Sequence, residues 1–208
     1  MNRFPLLFLG LMFTFFTAWV GLVIAPLKQY GGLQPVTDPD NPSSTLPPPY
    51  SALAQRGREV YAANGCLYCH SQQVRPKDQG SDLDRGWGRR PTVARDYIYD
   101  RPVFLGTMRT GPDLINIGMR QPSAKWHHLH LYAPRAMSPG SIMPNFRHLY
   151  ILQKIAGKGS PDALEFPPGK GPVIKPGYEI VPSEDARALV AYLLSMNHGY
   201  SLDEAPVD

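Results

Sequence analysis

Both cysteines of the 208-residue chain lie in one short motif, Cys66-Leu67-Tyr68-Cys69-His70. Two cysteines separated by two residues could form a redox disulfide, supply half of a zinc site or attach a haem. A thioredoxin-type dithiol belongs to a strand–helix turn, whereas a helical pattern precedes this motif. A structural zinc site needs four ligands, and the chain has no second pair of cysteines.

The histidine directly after the second cysteine selects among these chemistries. The C-x-x-C-H pattern is the attachment signature of c-type haem. Each thiol forms a thioether with one vinyl group of the porphyrin, and the two intervening residues let the chain bridge both groups. His70 is then held beneath the iron as its proximal ligand. We therefore predict one covalently bound haem c at Cys66, Cys69 and His70.

The second axial ligand is less constrained by the sequence. The candidates are the other histidines and five methionines, Met108, Met119, Met137, Met143 and Met196. Met143 is favoured because Pro144 stiffens the backbone directly after the sulfur, and Met–His ligation suits an electron carrier. Met196 lies on the apolar face of a helical segment and is expected to be core. The sequence pattern alone leaves the choice open.

An uncharged apolar segment runs from Pro5 to Pro26 near the N-terminus. About 20 helical residues span the ~30 Å hydrocarbon core of a bilayer, and Trp19 suits the membrane interface. A cleaved signal peptide is the alternative, but its apolar run is usually shorter, and no small-residue cleavage site precedes Lys28. We expect residues 1–28 to form an uncleaved single-pass anchor.

The haem motif also indicates the compartment. Charges flanking the apolar segment, Arg3 and Lys28, barely discriminate its orientation. Attachment of haem c implies maturation on the outer side of a bacterial inner membrane. We therefore expect the N-terminus in the cytoplasm and everything after the anchor in the periplasm. The predicted parts are a Pro-rich spacer at 29–50, a monohaem domain at 51–200 and a tail at 201–208.

Composition and capping residues predict helices joined by long irregular segments. The chain has 23 prolines and 19 glycines, and its net charge of +4 is spread without a basic run, which argues against nucleic-acid binding. Ser51, Ser123 and Ser183 are each placed to cap a helix, the second of which is stopped by Pro134. Apolar positions at helical spacing are Leu53, Val60 and Tyr61 in the first helix and Leu189, Tyr192, Leu193 and Met196 in the last.

Three stretches together resemble a known family. They read "GREVYAANGCLYCHSQQVRP", "RTGPDLINIGMR" and "WHHLHLYAPRAMSPGSIMPNF". They are similar to the membrane-anchored monohaem cytochrome c subunit (subunit II) of cbb(3)-type cytochrome c oxidases, over roughly residues 56–148. The most specific part is the ordered set Trp126, His127, His130, Leu131, Pro134, Arg135, Pro139, Ser141, Met143 and Pro144.

The resemblance implies a fold and a set of ligands. It implies a mainly α protein, with a single N-terminal transmembrane helix and a class I cytochrome c-like domain with long irregular loops. Cys66 and Cys69 would carry the haem thioethers, and His70 and Met143 would be the two axial ligands of the iron. In similar cytochromes a proline carbonyl accepts the Nδ1–H of the proximal histidine, and here that proline would be Pro112.

Other polar residues of these stretches have weaker assignments. Arg120 is the leading candidate to neutralise a haem propionate, with Arg75 and Arg135 as alternatives, and each could equally be a solvated surface residue. His127 and His130 share a helix face and could bind a metal. Packing and hydrogen bonding near the haem is the favoured interpretation of both histidines, because no acidic or cysteine partner is nearby.

The resemblance also implies a function. The chain would be a non-catalytic subunit that relays electrons from another c-type cytochrome to a haem–copper catalytic subunit, without a small-molecule substrate of its own. One alternative is the membrane-anchored monohaem cytochrome of another respiratory complex, such as the small subunit of nitric oxide reductase. A haem sensor or peroxidase-like enzyme is a second alternative, and it would require a five-coordinate iron. A non-haem redox or structural protein is the third.

Overall fold

The structure, a computed structural model, describes residues 3–207. Residues 1 and 2 of the predicted anchor and residue 208 of the predicted tail lie outside the described residues. The chain divides into two compact units. The N-terminal unit comprises residues 3–48 and Ala94–Ile98, and the main unit comprises Pro49–Val93 and residues 99–207.

The N-terminal unit begins with a long apolar helix. It consists of α1 (Phe4–Trp19), one π-helical segment (Val20–Ile24) and α2 (Ala25–Tyr30). Pro26 has no backbone N–H to bond to the preceding turn, and the wider π segment ends two residues before it, at Ile24. The helix has 27 residues, its most apolar 18-residue stretch has a mean hydropathy of 2.2, and none of that stretch is buried. This helix is long and apolar enough to cross a bilayer once, which fits the predicted anchor.

The chain after this helix differs from the extended spacer that its prolines predict. Strands β1 (Val36–Thr37) and β2 (Thr45–Leu46) form an antiparallel pair. Asp38 closes the turn between them, since its carboxylate accepts hydrogen bonds from the Ser44 hydroxyl at 2.9 Å and the Asp40 amide at 3.0 Å. Proline content does not report such side-chain bonds, so composition alone missed this hairpin.

The main unit contains helices and one pair of strands. In chain order they are α3 (Ala52–Ala63), a 3₁₀ turn (Cys66–Tyr68), α4 (Ile117–Arg120), α5 (Ala124–Tyr132), α6 (Pro134–Met137), a 3₁₀ turn (Arg147–Leu149), β3 (Tyr150–Lys154), β4 (Tyr178–Pro182) and α7 (Glu184–Ser195). Helical residues of all types account for 38% of the chain. The predicted mainly α class therefore holds only loosely, because irregular loops make up much of the rest.

The helix starts follow the predicted caps. The hydroxyls of Ser51, Ser123 and Ser183 accept hydrogen bonds from the amides of Ala54, Trp126 and Ala186 at 3.1–3.2 Å. Each bond satisfies one of the amides that a helix leaves without a partner in its first turn. Helix α5, which Ser123 caps, ends at Tyr132, two residues before Pro134, as expected.

Helices α3 and α7 pack against each other and form the centre of the main unit. Gly57 lies at their closest approach, where any Cβ would collide with the Ala188 carbonyl of α7. The buried α7 residues include Leu189, Tyr192, Leu193 and Met196, which confirms the predicted apolar face. In α3, Val60 and Tyr61 are buried as predicted, but Leu53 is 49% exposed. Leu53 has the predicted helical spacing but lies outside the buried face, which consists of Ala54, Gly57, Arg58, Val60 and Tyr61.

Strands β3 and β4 were not predicted. They pair antiparallel, from Tyr150 opposite Pro182 to Lys154 opposite Tyr178. β4 is mostly buried, whereas β3 is exposed after its first residue. Both strands are short and are separated by a Gly- and Pro-rich stretch, so neither presents a strong local pattern.

Candidate functional site

A cavity of about 390 Å³ lies within the main unit. Its walls come from α3, the cysteine motif, the segment around Pro112, α4, α5, the segment 138–144 and α7. The leucines and isoleucines among its lining are Leu114, Ile117, Leu131, Ile142, Leu189 and Leu193. Five of the predicted site residues also line it, namely Cys66, Cys69, His70, Pro112 and Met143. The fold thus brings together residues that lie up to 77 positions apart in the sequence.

The cysteine motif directly follows the end of α3. Gly65 adopts a left-handed conformation after the last turn, with φ of 70°, and the chain then forms the 3₁₀ turn that contains Cys66. The amide of His70 donates to the Cys66 carbonyl at 3.0 Å, which completes this compact turn. Cys66 is half-buried and Cys69 is exposed. Burial raises the pKa of the Cys66 thiol to about 12, so this thiol is neutral at ordinary pH.

His70 is oriented by a backbone carbonyl on the far side of its ring. Its Nδ1 lies 2.8 Å from the carbonyl oxygen of Pro112. A carbonyl can only accept, so Nδ1 carries the proton and Nε2 keeps a free lone pair. Burial lowers the pKa of His70, partly offset by this hydrogen bond, and the ring is therefore neutral. A neutral imidazole with Nε2 free is the form that binds a metal ion.

Gly111 lets the backbone approach the His70 ring closely. A Cβ at position 111 would overlap the ring and come within 2.8 Å of its Nδ1. The Gly111 amide also donates to the Cys69 carbonyl at 2.9 Å. A side chain at this position would push apart the two segments that the His70–Pro112 hydrogen bond joins.

Met143 is held in the cavity wall by its own short loop. Its amide donates to the Ser141 hydroxyl at 3.2 Å, and the Ser141 amide donates to the Ser138 carbonyl at 2.9 Å. Three residues later, the Phe146 amide donates to the Leu131 carbonyl of α5 at 2.9 Å. These bonds attach the loop to a helix that forms part of the same cavity.

The other candidate methionines do not line this cavity. Met196 is fully buried in the core, as predicted, and Met108 is 58% exposed. Met119 packs beside Gly199, and Met137 packs against the hydrophobic core. Among the five methionines that the sequence left as candidates, the cavity contains Met143 alone.

Two of the three histidines of the "WHHLH" run, His127 and His130, line the cavity, and they contact different partners. His127 is buried, and its Nε2 donates to the Gln121 carbonyl at 2.8 Å. The His130 ring stacks on Trp126, with centroids 4.6 Å apart and planes 9° from parallel. Burial lowers the pKa of His130 to about 4. Within residues 3–207, neither histidine belongs to a cluster of three or more potential metal ligands.

The predicted propionate-binding arginines lie outside the cavity lining. Arg120 donates through Nη2 to the Asp113 carbonyl, and its buried Nε has no partner among the described residues. Arg75 pairs with the buried carboxylate of Asp82 at 3.2 Å, and Arg135 is exposed. The propionate role of Arg120 therefore stays a prediction.

Two buried polar residues, Ser71 and Asp113, lie next to predicted site residues but were not identified from the sequence. Ser71 and Asp113, both buried, hydrogen bond to each other at 2.6 Å. They directly follow His70 and Pro112, two of the predicted site residues. Their positions next to predicted site residues could have identified them as candidates. The sequence does not show, however, that the two side chains bond to each other, because that depends on tertiary structure.

Comparison with known proteins gives one family. The family described as "Cytochrome C oxidase, mono-heme subunit/FixO" matches residues 22–162, about two thirds of the chain. The matched range includes the cysteine motif, Pro112 and the Met143 loop. No curated protein matches the chain significantly.

Proposed function

The chain belongs to the family of mono-haem cytochrome c oxidase subunits, FixO, and on this premise we propose that it is the electron-transfer subunit of a cbb(3)-type oxidase. It would take electrons from another c-type cytochrome and pass them to the haem–copper catalytic subunit. One observation carries the proposal. Two cysteines, an imidazole and a thioether, drawn from distant parts of the chain, line a single apolar cavity.

The residues of the cavity fit one haem c. Cys66 and Cys69 would form the thioethers, and His70 and Met143 would be the axial ligands of the iron. Bound there, the haem supplies reversible one-electron chemistry. Ligation by both His70 and Met143 would leave no open position, so the subunit would bind no small-molecule substrate.

The surrounding residues adjust how readily the site takes an electron. The His70 Nδ1–H donates to Pro112, which makes the imidazole a more basic ligand. The apolar side chains of α4, α5 and α7 would shield a haem bound in the cavity from water. A dry site and a thioether ligand both favour the reduced state, as an acceptor of electrons from another cytochrome requires.

The two units of the chain would have different places in the cell. The main unit, in which the cysteine motif follows one helix of a packed pair, would be a class I cytochrome c-like domain. The apolar helix Phe4–Tyr30 would anchor the chain in the bacterial inner membrane. The haem domain would lie in the periplasm, where haem c is attached.

Purification of the intact complex in mild detergent tests this proposal. We expect the chain to copurify with a copper-containing subunit and to stain for covalent haem on a denaturing gel. Replacing Cys66 and Cys69 together by alanine should abolish the haem stain, whereas Ser195→Ala, a control in α7, should keep it. A wild-type chain that purifies alone, or that carries no covalent haem, would contradict the proposal.

A further inference from the structure

One buried carboxylate of the main unit, Asp82, binds two arginines, Arg75 and Arg109. Asp82 is fully buried, and its carboxylate accepts from the Arg75 amide at 2.9 Å and from the Arg75 side chain at 3.2 Å. Arg109 binds both oxygens of the same carboxylate, at 2.5 and 2.8 Å. Asp82 thus fixes the position of the Arg109 guanidinium.

Arg109 uses its remaining donors on the segment that follows His70. Its Nε donates to the Ser71 hydroxyl at 2.7 Å, and its Nη2 donates to the Gln73 carbonyl at 2.7 Å. Arg109 itself lies three residues before Pro112. The side chain therefore ties the chain after the proximal histidine to the chain that leads to its carbonyl acceptor.

Asp113 joins the same two segments through further hydrogen bonds. Its carboxylate accepts from the Ser71 hydroxyl at 2.6 Å, the Gln73 amide at 2.7 Å and the Ile115 amide at 2.9 Å. The Leu114 amide adds a bond to the Ser71 carbonyl at 2.8 Å. Ser71 is the shared member, since its hydroxyl accepts from Arg109 and donates to Asp113.

We propose that Arg109, Ser71 and Asp113 are positioning residues that set the His70 Nδ1–Pro112 hydrogen bond and thereby tune the reduction potential of the site. This inference rests on the proposed function. His70 and Pro112 each directly precede a member of the network, so the network fixes both ends of the 2.8 Å bond. A looser bond would make the imidazole a poorer donor to the iron, disfavour the ferric state and raise the potential.

The decisive variants keep the charge and change the geometry. Removing the Arg109 charge would itself lower the potential, which would mask the effect of a looser hydrogen bond. Arg109→Lys keeps the charge but cannot bind Asp82, Ser71 and Gln73 together through one planar fork. Ser71→Ala removes the bridging hydroxyl without changing any charge.

A second buried ion pair in the main unit supplies the matched control. Arg58 and Asp100 are both nearly inaccessible and lie 3.1 Å apart. Arg58 also donates to the carbonyls of Arg101 and Pro102, so it fixes a different loop. Arg58→Lys should therefore lower the melting temperature as Arg109→Lys does, while it leaves the hydrogen bonds among Arg109, Ser71 and Asp113 in place.

The experiment is a spectroelectrochemical titration of the intact detergent-solubilised complex, with the electron paramagnetic resonance spectrum of the ferric haem as a second measurement. We expect Arg109→Lys and Ser71→Ala to shift the haem c potential upward and to change the g-values, and Arg58→Lys to change neither. If all three variants lose stability but keep the wild-type potential and g-values, the network is merely structural and the inference is overturned.

A denaturing gel stained for haem separates this inference from the proposed function. Equal covalent haem in wild type and variants, with an unchanged potential, would overturn the positioning role alone. A wild-type chain without covalent haem would overturn both.

Discussion

His70 is the residue on which most of the site's geometry depends. Its ring is bounded by Gly111 on one side and is hydrogen bonded through Nδ1 to Pro112 at 2.8 Å. Its backbone is held by the Cys66 carbonyl, and the next residue is bound by Arg109. A change at any of these contacts should therefore appear first in the properties of a haem ligated by His70.

Gly111→Ala tests the closeness of the backbone to the ring. The added Cβ would overlap the His70 ring, so we expect impaired haem incorporation or, in the protein that matures, a shifted reduction potential. Gly32→Ala is the control, because a Cβ added there would have no neighbouring atom within 4 Å and Gly32 lies outside the cavity lining. Equal haem content and potential in the two variants would show that the contact does not constrain the ring.

Met143→Leu tests the sixth ligand. Leucine preserves the bulk of the side chain but cannot bind iron, so the haem should stay attached while its potential falls and the ferrous protein binds carbon monoxide. The measurements are the ferric absorption band of a methionine–iron bond and a carbon monoxide difference spectrum. Met137→Leu, a half-buried control outside the cavity lining, should leave both unchanged. An unaltered spectrum in Met143→Leu would assign the ligand elsewhere.

Asp82 makes the stability of the main unit depend on pH. Burial alone would raise the pKa of this carboxyl, but hydrogen bonds from Arg109 and Arg75 outweigh it and hold the pKa below its ordinary value of 3.8. A carboxylate whose pKa is lowered by folding stabilises the fold at pH values above its pKa in the unfolded chain. This contribution is lost as the pH falls from that value through the lower pKa of the folded state. At neutral pH, Asp82→Asn should cost roughly 3 kcal/mol, as expected for breaking a buried ion pair.

Urea unfolding as a function of pH measures this contribution. The difference in free energy of unfolding between wild type and Asp82→Asn should shrink below about pH 4, since the wild type then loses the interaction. Asp78→Asn, an exposed carboxylate in the same loop, is the charge-matched surface control. A difference that stays constant from neutral to acidic pH would mean that the Asp82 charge does not stabilise the fold.

At the scale of elements, the crossing of α3 and α7 determines where the cysteine motif lies. α3 delivers Cys66 from its C-terminal end, and α7 supplies Leu189 and Leu193 to the cavity wall. The two helices approach closely because Gly57 has no side chain at the contact with Ala188. Their packing thus couples the stability of the main unit to the shape of the site.

Gly57→Ala tests this coupling. The new methyl group would collide with the Ala188 carbonyl, so we expect a loss of about 1–3 kcal/mol in the free energy of unfolding from overpacking. The loss should occur even though alanine has the higher helix propensity by about 1 kcal/mol. Thermal and urea unfolding measure it, with Leu53→Ala as a partly exposed control in the same helix. A more stable Gly57→Ala protein would show that the helices can separate without cost.

The elements differ in how far the sequence predicts them. Capping serines and apolar periodicity identify α3, α5 and α7 because those signals are local. Strands β3 and β4 depend on a partner 24 or more residues away, and β3 is exposed for most of its length. No window of the sequence contains the information that pairs them. The same holds for Ser71 and Asp113, whose bond joins residues 42 positions apart.

At the scale of the whole molecule, two features have different origins. The apolar helix Phe4–Tyr30 is evident from composition alone. The proposed haem ligands illustrate the opposite case, since the C-x-x-C-H motif fixes three of them locally, whereas Met143 lies 73 residues after His70. The family match over residues 22–162 joins these features in a mono-haem oxidase subunit.

The central claim is that electrons reach the haem–copper subunit through the haem held by this chain. The direct test mixes the oxidised, detergent-solubilised complex rapidly with a reduced c-type cytochrome and follows both centres by absorption. In the wild type, the haem c of this subunit should be reduced before the haem–copper centre. In Met143→Leu, both steps should slow together. Reduction of the haem–copper centre at the wild-type rate, while the haem c of the variant stays oxidised, would contradict the claim.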